Sequence, residues 1–277
     1  MDTHLQFITL NNGVKIPKIG FGAYLLKEGE ETVEAVGEAL KAGYRSIDTA
    51  SLYGNEKNIG QAIRESLIPR EDIFVTTKVG KDEQGYDNTL KAFENSLDRL
   101  QMSYIDLYLI HWPVPDKSLE SYRALEKLYK EGKIRAIGVS NFNIHHLETL
   151  LSFCEIPPTV NQMELHPLLS QEPLRRFCIK HKIQIEAWSP LMRGGKIMDN
   201  DIILRMAEEY GKTPAQIILR WHYQHNIIAI PKSKTPSRIR ENIDIFDFQL
   251  SESHMEIIDH MNVDLHIGIN PDDVIRL

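Results

Sequence analysis

Side chains that can hold or transfer protons follow one short apolar run after another in this sequence of 277 residues. A carboxylate (Asp48), a phenol (Tyr53), an ammonium (Lys78) and an imidazole (His111) come at or just after such runs, and together they could perform acid–base chemistry. Other hydrogen-bonding residues occupy corresponding places further along the chain: Ser140, Asn141, Gln162, Trp188, Ser189, Lys232 and Ser233. Each alone has an ordinary structural explanation, such as capping, loop packing or surface charge, but the whole set indicates a shared target.

The apolar runs alternate with amphipathic helical patterns, which predicts the elements that position these residues. The first strand lies in KIGFG and the eighth in IIAIP, and the runs between them are rich in Ile, Val and Leu, as in a parallel sheet covered on both faces. No linker or change of composition interrupts the pattern. We therefore expect an α/β fold, a single (β/α)8 TIM barrel over residues 1–277, whose site lies at the carboxyl ends of the strands.

Two further features bracket the predicted barrel. Asn12-Gly13 separates two short alternating segments near the start, which predicts an N-terminal β-hairpin. Helical patterns beyond the eighth strand predict extra C-terminal helices. Glycines in KAGY, KEGK and EYGK fall where helices should end, and we interpret them as C-caps.

Composition excludes several classes of protein. A formal net charge of −7 disfavours the broad basic surface of a nucleic-acid binder. The sequence has neither a signal-peptide pattern nor an apolar run long enough to span a membrane, so we expect a cytoplasmic protein. The two cysteines, Cys154 and Cys178, lie in apolar helical patterns and are interpreted as packing residues. We expect no metal site, because the histidines lack the spacing of a zinc motif.

Several motifs in order resemble the aldo-keto reductase family, in particular its small bacterial reductases of aldehydes, glyoxal or 2,5-diketo-gluconate. They are GYRSIDTASLYGNE, TTKV, IDLYLIHWP, GKIRAIGVSNF, VNQMELHP, IEAWSPL and IPKSKTPSRIREN, and they cover nearly the whole chain. The resemblance implies the barrel already inferred and an oxidoreductase that uses NADP(H) to reduce the carbonyl groups of small aldehydes and ketones.

By this resemblance Asp48, Tyr53, Lys78 and His111 match the family's four catalytic residues. A carbonyl that accepts hydride develops negative charge on its oxygen, and Tyr53 would deliver a proton there. Lys78 would ease loss of that proton, Asp48 would keep the ammonium charged, and His111 would orient the carbonyl by a second hydrogen bond.

The same resemblance assigns the nucleotide contacts. Trp188 would stack on the nicotinamide, while Lys232, Ser233 and Arg238 would hold the 2′-phosphate. The remaining contacts in this expectation are Gly22, Ala23, Ser140, Asn141, Gln162, Ser189, Pro190, Leu191, Gly194, Glu241 and Asn242. Gly194-Gly195 would permit close approach of the backbone to the pyrophosphate. Since no GxGxxG motif follows a strand, a Rossmann site is disfavoured.

Tyr24 and Trp112 are expected to line the substrate pocket together with His111. Many small bacterial relatives carry tryptophan where this chain has Gly80, so we expect a wider or looser pocket. Methylglyoxal, glyoxal, other short aldehydes and keto-sugar acids all fit, and we expect a monomer.

Two other functions remain open at this stage. A nicotinamide-nucleotide-binding regulatory barrel with little turnover would carry the same motifs, although the chain lacks a long N-terminal interaction segment. A metal-dependent barrel hydrolase would need several histidine and aspartate ligands at strand ends, and His111 is the one histidine predicted there.

Overall fold

The computed structural model describes residues 6–276 of the chain. Its strands are β1 (Phe7–Thr9), β2 (Lys15–Pro17), β3 (Phe21–Gly22), β4 (Ser46–Asp48), β5 (Phe74–Val79), β6 (Ile105–Ile110), β7 (Ile134–Ser140), β8 (Val160–Glu164), β9 (Gln184–Trp188) and β10 (Ile228–Ala229). Its helices are α1 (Glu30–Ala42), α2 (Glu56–Glu65), α3 (Tyr86–Leu100), α4 (Ser118–Lys130), α5 (Ile144–Phe153), α6 (Glu172–Lys180), α7 (Asp201–Tyr210), α8 (Pro214–Gln224), α9 (Pro236–Ile243) and α10 (Glu252–Asp259).

Strands β3 to β10 form one parallel sheet in chain order, and its two edges meet to close a barrel. Ile19 bridges Ala229 in parallel, and the Gly22 amide donates to the carbonyl of Pro231 at 3.1 Å. A Cβ atom on Gly22 would lie only 2.7 Å from the carbonyl oxygen of Ile230, so this closure requires glycine. The first and eighth strands are shorter than KIGFG and IIAIP suggested, because irregular hydrogen bonds flank this junction.

The predicted N-terminal hairpin is confirmed and lies at the amino-terminal end of the barrel strands. β1 pairs antiparallel with β2, and Ile8 lies opposite Ile16. Ile16 is fully buried and belongs to a compact apolar cluster with residues from the beginnings of the strands, among them Phe74 and Ile228. The hairpin thus covers the end of the barrel opposite the polar strand ends.

Helices α1 to α6, α8 and α9 each follow one barrel strand, and most of their buried residues pack into one large core. Gly43 and Gly211 cap α1 and α7 in the left-handed conformation, as predicted. The extra helical segments are α7, α10 and a short turn at Pro271–Arg276, and the (β/α)8 fold class is confirmed. No helix within residues 6–276 has the length and apolar character needed to span a bilayer.

Candidate active site

Asp48 and Lys78 form a buried ion pair at the carboxyl ends of two neighbouring strands. Asp48 ends β4, and Lys78 lies one residue before the end of β5, which pairs with β4. The Lys78 Nζ donates to Oδ1 of Asp48 at 2.6 Å and to the carbonyl of Thr49 at 2.9 Å. Burial alone would lower the pKa of Lys78, but Asp48 and Tyr53 raise it above its ordinary value. The ion pair therefore keeps the side chain of Lys78 protonated inside the barrel.

Tyr53 lies beside that charge. It is the last residue of a 3-10 turn, Ser51–Tyr53, in the loop after β4, and the Lys78 Nζ lies 5.2 Å from the centroid of its ring. Burial raises the pKa of Tyr53 to about 12, and the Lys78 ammonium opposes this rise. The phenol thus keeps its proton at neutral pH, next to a cation that stabilises the phenolate left after proton transfer.

His111 completes this corner of the barrel mouth. It follows β6, and its ring meets the Tyr53 ring edge to face, with centroids 5.6 Å apart. Burial, and then the charge of Lys78, holds the pKa of His111 well below its ordinary value, so the imidazole is neutral at physiological pH. Its Nδ1 atom is buried and has no hydrogen-bond partner among the residues described. A neutral imidazole has one N–H group, which can donate a hydrogen bond to a carbonyl oxygen while another group transfers the proton.

The predicted nicotinamide contacts converge beside these residues. The Asn141 side chain donates to the carbonyl of His111 at 2.9 Å and to Oγ of Ser140 at 3.0 Å. Its Oδ1 accepts a hydrogen bond from Nε1 of Trp188 at 2.8 Å, which orients the indole. Asn141 adopts a left-handed backbone conformation (φ 64°), and Trp188 remains partly exposed. An aromatic face is thereby held in place by Asn141, which also contacts the backbone of His111.

Tyr24 and Trp112, the residues expected to line the substrate pocket, contact Tyr53 and His111. The Tyr24 ring contacts the Tyr53 ring, with centroids 5.1 Å apart, and Trp112 stacks on His111 at 6.3 Å. The guanidinium of Arg193 lies 5.5 Å from the centroid of the Tyr24 ring. Leu25 and Leu52, the sequence neighbours of Tyr24 and Tyr53, are exposed.

A group of cations surrounds the start of α9, after β10. Lys234 pairs with Glu31 at 3.2 Å and Arg240 pairs with Glu38 at 3.1 Å. Within residues 6–276, no carboxylate lies at ion-pair distance from Lys232 or Arg238. These two cations are therefore free to meet an anion.

Comparisons with known proteins decide the family. The family model described as Aldo/keto reductase family matches residues 18–263. The chain belongs to the aldo/keto reductase family. This confirms the predicted resemblance and, with it, the class of oxidoreductase.

Named relatives and solved structures agree with this membership. The chain is 54% identical to the glyoxal reductase of Bacillus subtilis (strain 168) over 268 residues, covering 97% of each chain. It is 44% identical to the methylglyoxal reductase DkgA of Escherichia coli (strain K12), covering 96% of each. A mutant of Gox0644 crystallised in complex with NADPH superposes with a TM-score of 0.92 at 42% identity, covering 97% of this chain and 98% of that one.

Other expected contacts of this aldo/keto reductase have structural roles as well. Gly22 is required by barrel closure, and the Ala23 amide donates to the carbonyl of Asp48 at 2.9 Å. Glu241 accepts a hydrogen bond from Thr213 at 2.8 Å, and Asn242 is buried. These contacts stabilise the fold around the expected nucleotide site.

The loop after β9 has an irregular backbone, with positive φ angles at Ser189, Met192, Arg193 and Gly194. Pro190 and Leu191 belong to the same loop. The amides of Gly194 and Gly195 donate to the carbonyls of Leu191 and Met192 within it. In this conformation these two N–H groups already have partners, so contact with a pyrophosphate requires the loop to rearrange or to use its other amides.

Three carboxylates close to the site are not among the predicted site residues. Glu186 lies inside the barrel and accepts a hydrogen bond from Gln162 at 2.7 Å. Glu83 accepts one from the amide of Gly80 at 3.1 Å, and a Cβ atom at position 80 would lie 3.0 Å from its Oε2. The space expected to widen the pocket beside Gly80 is thus partly filled by Glu83. The signal for Glu186 was a charged residue within an apolar strand, IQIEAW.

The third missed carboxylate, Glu164, holds the C-terminal segment over the barrel mouth. It accepts hydrogen bonds from the amides of Ile267 at 2.7 Å and Gly268 at 3.0 Å. A Cβ atom on Gly268 would lie 2.4 Å from the Trp188 ring, so the segment packs directly against the indole. The C-terminal residues therefore form part of the wall beside Trp188.

Proposed function

We propose that this protein reduces the carbonyl groups of small aldehydes and ketones to alcohols with NADPH, and that Tyr53 is the general acid. The observation that carries this proposal is the buried Asp48–Lys78 pair beside Tyr53, 2.6 Å between Nζ and Oδ1, with a neutral His111 against the same phenol. A phenol, a fixed cation and a neutral hydrogen-bond donor are the groups that a developing alkoxide requires.

NADPH, when bound, supplies the hydride that forms the new C–H bond. Tyr53 transfers its proton to the carbonyl oxygen as negative charge develops there. Lys78 stabilises the resulting phenolate, and Asp48 keeps the ammonium charged and in position. His111 donates a hydrogen bond to the same oxygen and so orients the substrate. The phenolate then regains a proton from solvent.

The residues at the mouth fit this nucleotide. Trp188, fixed by Asn141, offers the aromatic face for the nicotinamide. Gln162 uses both amide hydrogens on carboxylates, so its remaining polar atom is Oε1, an acceptor suited to the NH2 of the carboxamide. Lys232, Ser233 and Arg238 would bind the 2′-phosphate, two of them as cations without a carboxylate partner in the described part of the chain.

The substrate is proposed from the rim and the relatives. Relatives are named glyoxal reductase and methylglyoxal reductase, and Tyr24, Trp112 and His111 form a partly aromatic pocket around the acid. We therefore propose glyoxal, methylglyoxal and other short aldehydes, with keto-sugar acids as a further class. We also propose that the chain acts as a single-domain cytoplasmic monomer that binds neither nucleic acid nor membranes.

The test is NADPH consumption, followed by absorbance, over a panel of glyoxal, methylglyoxal, simple ketones and keto-sugar acids, repeated with NADH. Substrate-dependent oxidation of NADPH with release of the alcohol is expected for at least one dicarbonyl. Tight binding of NADPH without turnover of any member of the panel would instead support a nucleotide-sensing barrel.

A further inference from the structure

Glu186 is a fully buried carboxylate within the barrel that the proposed reaction does not use. It lies in the middle of β9, two residues before Trp188, so both side chains are on the same face of the strand. Gln162 of β8 lies opposite it on one side and Ile228 of β10 on the other. A carboxylate at such a position costs stability unless its charge is neutralised or shared.

A continuous chain of hydrogen bonds joins Glu186 to the catalytic ion pair. Nε2 of Gln162 donates one hydrogen to Oε2 of Glu186 at 2.7 Å and the other to Oδ2 of Asp48 at 2.8 Å. The other oxygen of Asp48 accepts from Lys78 at 2.6 Å. Oε1 of Glu186 is buried and has no hydrogen-bond partner in the part of the chain that the structure covers. Glu186 is thus the terminal member of a chain that leads to the ammonium beside Tyr53.

The charges in this interior do not balance if every group is ionised. The charged groups that act on Glu186 are Asp48 from β4 and Lys78 from β5, while β8 contributes the neutral Gln162. Two carboxylates would then share one ammonium. Burial, and then repulsion by Asp48, raises the pKa of Glu186 to about 8. Glu186 is accordingly neutral at pH 7 and becomes charged in mildly alkaline solution.

We propose that Glu186 is a positioning residue whose ionisation, transmitted through Gln162 to the Asp48–Lys78 pair, adjusts how readily Tyr53 gives up its proton. The inference rests on the proposed function, because it concerns the same acid. When Glu186 is neutral, Lys78 has one carboxylate partner and its charge is fully available to the phenolate. When Glu186 is ionised, the additional negative charge holds the proton on Lys78 and disfavours the phenolate.

The test is the pH dependence of kcat for carbonyl reduction in the wild type and in Glu186→Gln, which keeps shape and hydrogen-bonding capacity but cannot ionise. In the wild type kcat should begin to fall as pH rises through about 8, because ionised Glu186 disfavours the phenolate, and in Glu186→Gln this fall should move to higher pH by about half a pH unit or more. Glu186→Met should give the same shift if the glutamine variant does not fold. The control is Glu126→Gln. Glu126 is a buried carboxylate on α4 that accepts hydrogen bonds from the amides of Glu155 and Ile156, and its replacement should leave the pH profile unchanged. Coincident alkaline limbs for the wild type and both Glu186 variants would overturn the proposal.

A second measurement does not depend on turnover. Because the pKa of Glu186 is raised in the folded state, its contribution to stability is present at acidic pH and is lost as pH rises from its ordinary value to about 8. The free energy of unfolding of the wild type should therefore fall relative to Glu186→Gln over this range. If this difference does not vary with pH, Glu186 is not the titrating group and the proposal fails. If the difference appears but no carbonyl is reduced, the proposed function fails and the ionisation of Glu186 stands.

Discussion

Glu83 accepts a hydrogen bond from the Ser51 hydroxyl at 2.5 Å, and through it the turn that carries Tyr53 is attached to the strand that carries Lys78. The same Oε2 atom accepts the amide of Gly80, two residues beyond Lys78. One carboxylate oxygen therefore fixes the relative position of the acid and its activating cation.

Replacing Glu83 should consequently slow the reaction without weakening the binding of NADPH. Glu83→Ala removes both hydrogen bonds, and we expect kcat to fall by about 10-fold or more because a displaced acid is costly. The Kd for NADPH should stay near the wild-type value. Asp82→Ala, at the exposed neighbouring residue, is the matched control and should leave both quantities unchanged. Equal kcat values for the two variants would contradict this role of Glu83.

Removing Lys78 alone should destabilise the protein as well as inactivate it. Lys78→Met leaves the buried Asp48 without its cation, and we expect the free energy of unfolding to fall by about 3–5 kcal/mol. The double variant Asp48→Asn with Lys78→Met should regain most of this stability but no activity. Urea denaturation and NADPH oxidation measure the two effects, and a double variant as unstable as Lys78→Met would count against the ion pair as the cause.

The role of Tyr53 as acid is tested by Tyr53→Phe. The variant keeps the ring that packs against Tyr24 and His111 but has no proton to give, so kcat should fall by about 100-fold or more. NADPH binding, followed by quenching of tryptophan fluorescence, should be nearly unchanged. Wild-type turnover in this variant would remove Tyr53 from its proposed role.

Selectivity for the phosphorylated nucleotide should depend on Arg238 and not on its neighbour Arg240. Arg238→Ala should raise the Kd for NADPH by about 10- to 100-fold, since a hydrogen bond to a charged group contributes about 1.5–3 kcal/mol, and should change the Kd for NADH little. Arg240 is paired with Glu38, so Arg240→Ala serves as the control on the same helix. Equal losses for NADPH and NADH in Arg238→Ala would refute the assignment of the 2′-phosphate.

The arrangement of Asp48, Lys78 and His111 could be predicted because a parallel barrel brings all its carboxyl strand ends to one rim. Each of these residues stands at the end of an apolar run, so periodicity alone places them together. Trp188 and Asn141 were predicted to meet the same ligand, but their direct hydrogen bond was not, because it depends on the left-handed backbone at Asn141.

Glu83, Glu164 and Glu186 could not be assigned in the same way. Glu83 and Glu164 act through backbone amides that are distant in sequence or set by loop geometry, and no local pattern encodes such partners. Glu186 stands out within its strand, but its connection to Asp48 exists only because Gln162, its neighbour on β8, also reaches Asp48 of β4, a strand that β8 does not pair with in the sheet. Strand register decides which side chains lie close enough to bridge two others. Hydrophobic periodicity determines this register poorly when a sheet is buried on both faces.

The junction between Ile19 and Ala229 also has a consequence for how the molecule acquires its structure. The two edges of the sheet come from opposite ends of the chain, so the barrel cannot close until the eighth strand has left the ribosome. Contacts between such distant segments form slowly. Until then the nascent chain exposes two unpaired sheet edges, and this late step, rather than the formation of any single βα unit, is where aggregation would compete with folding.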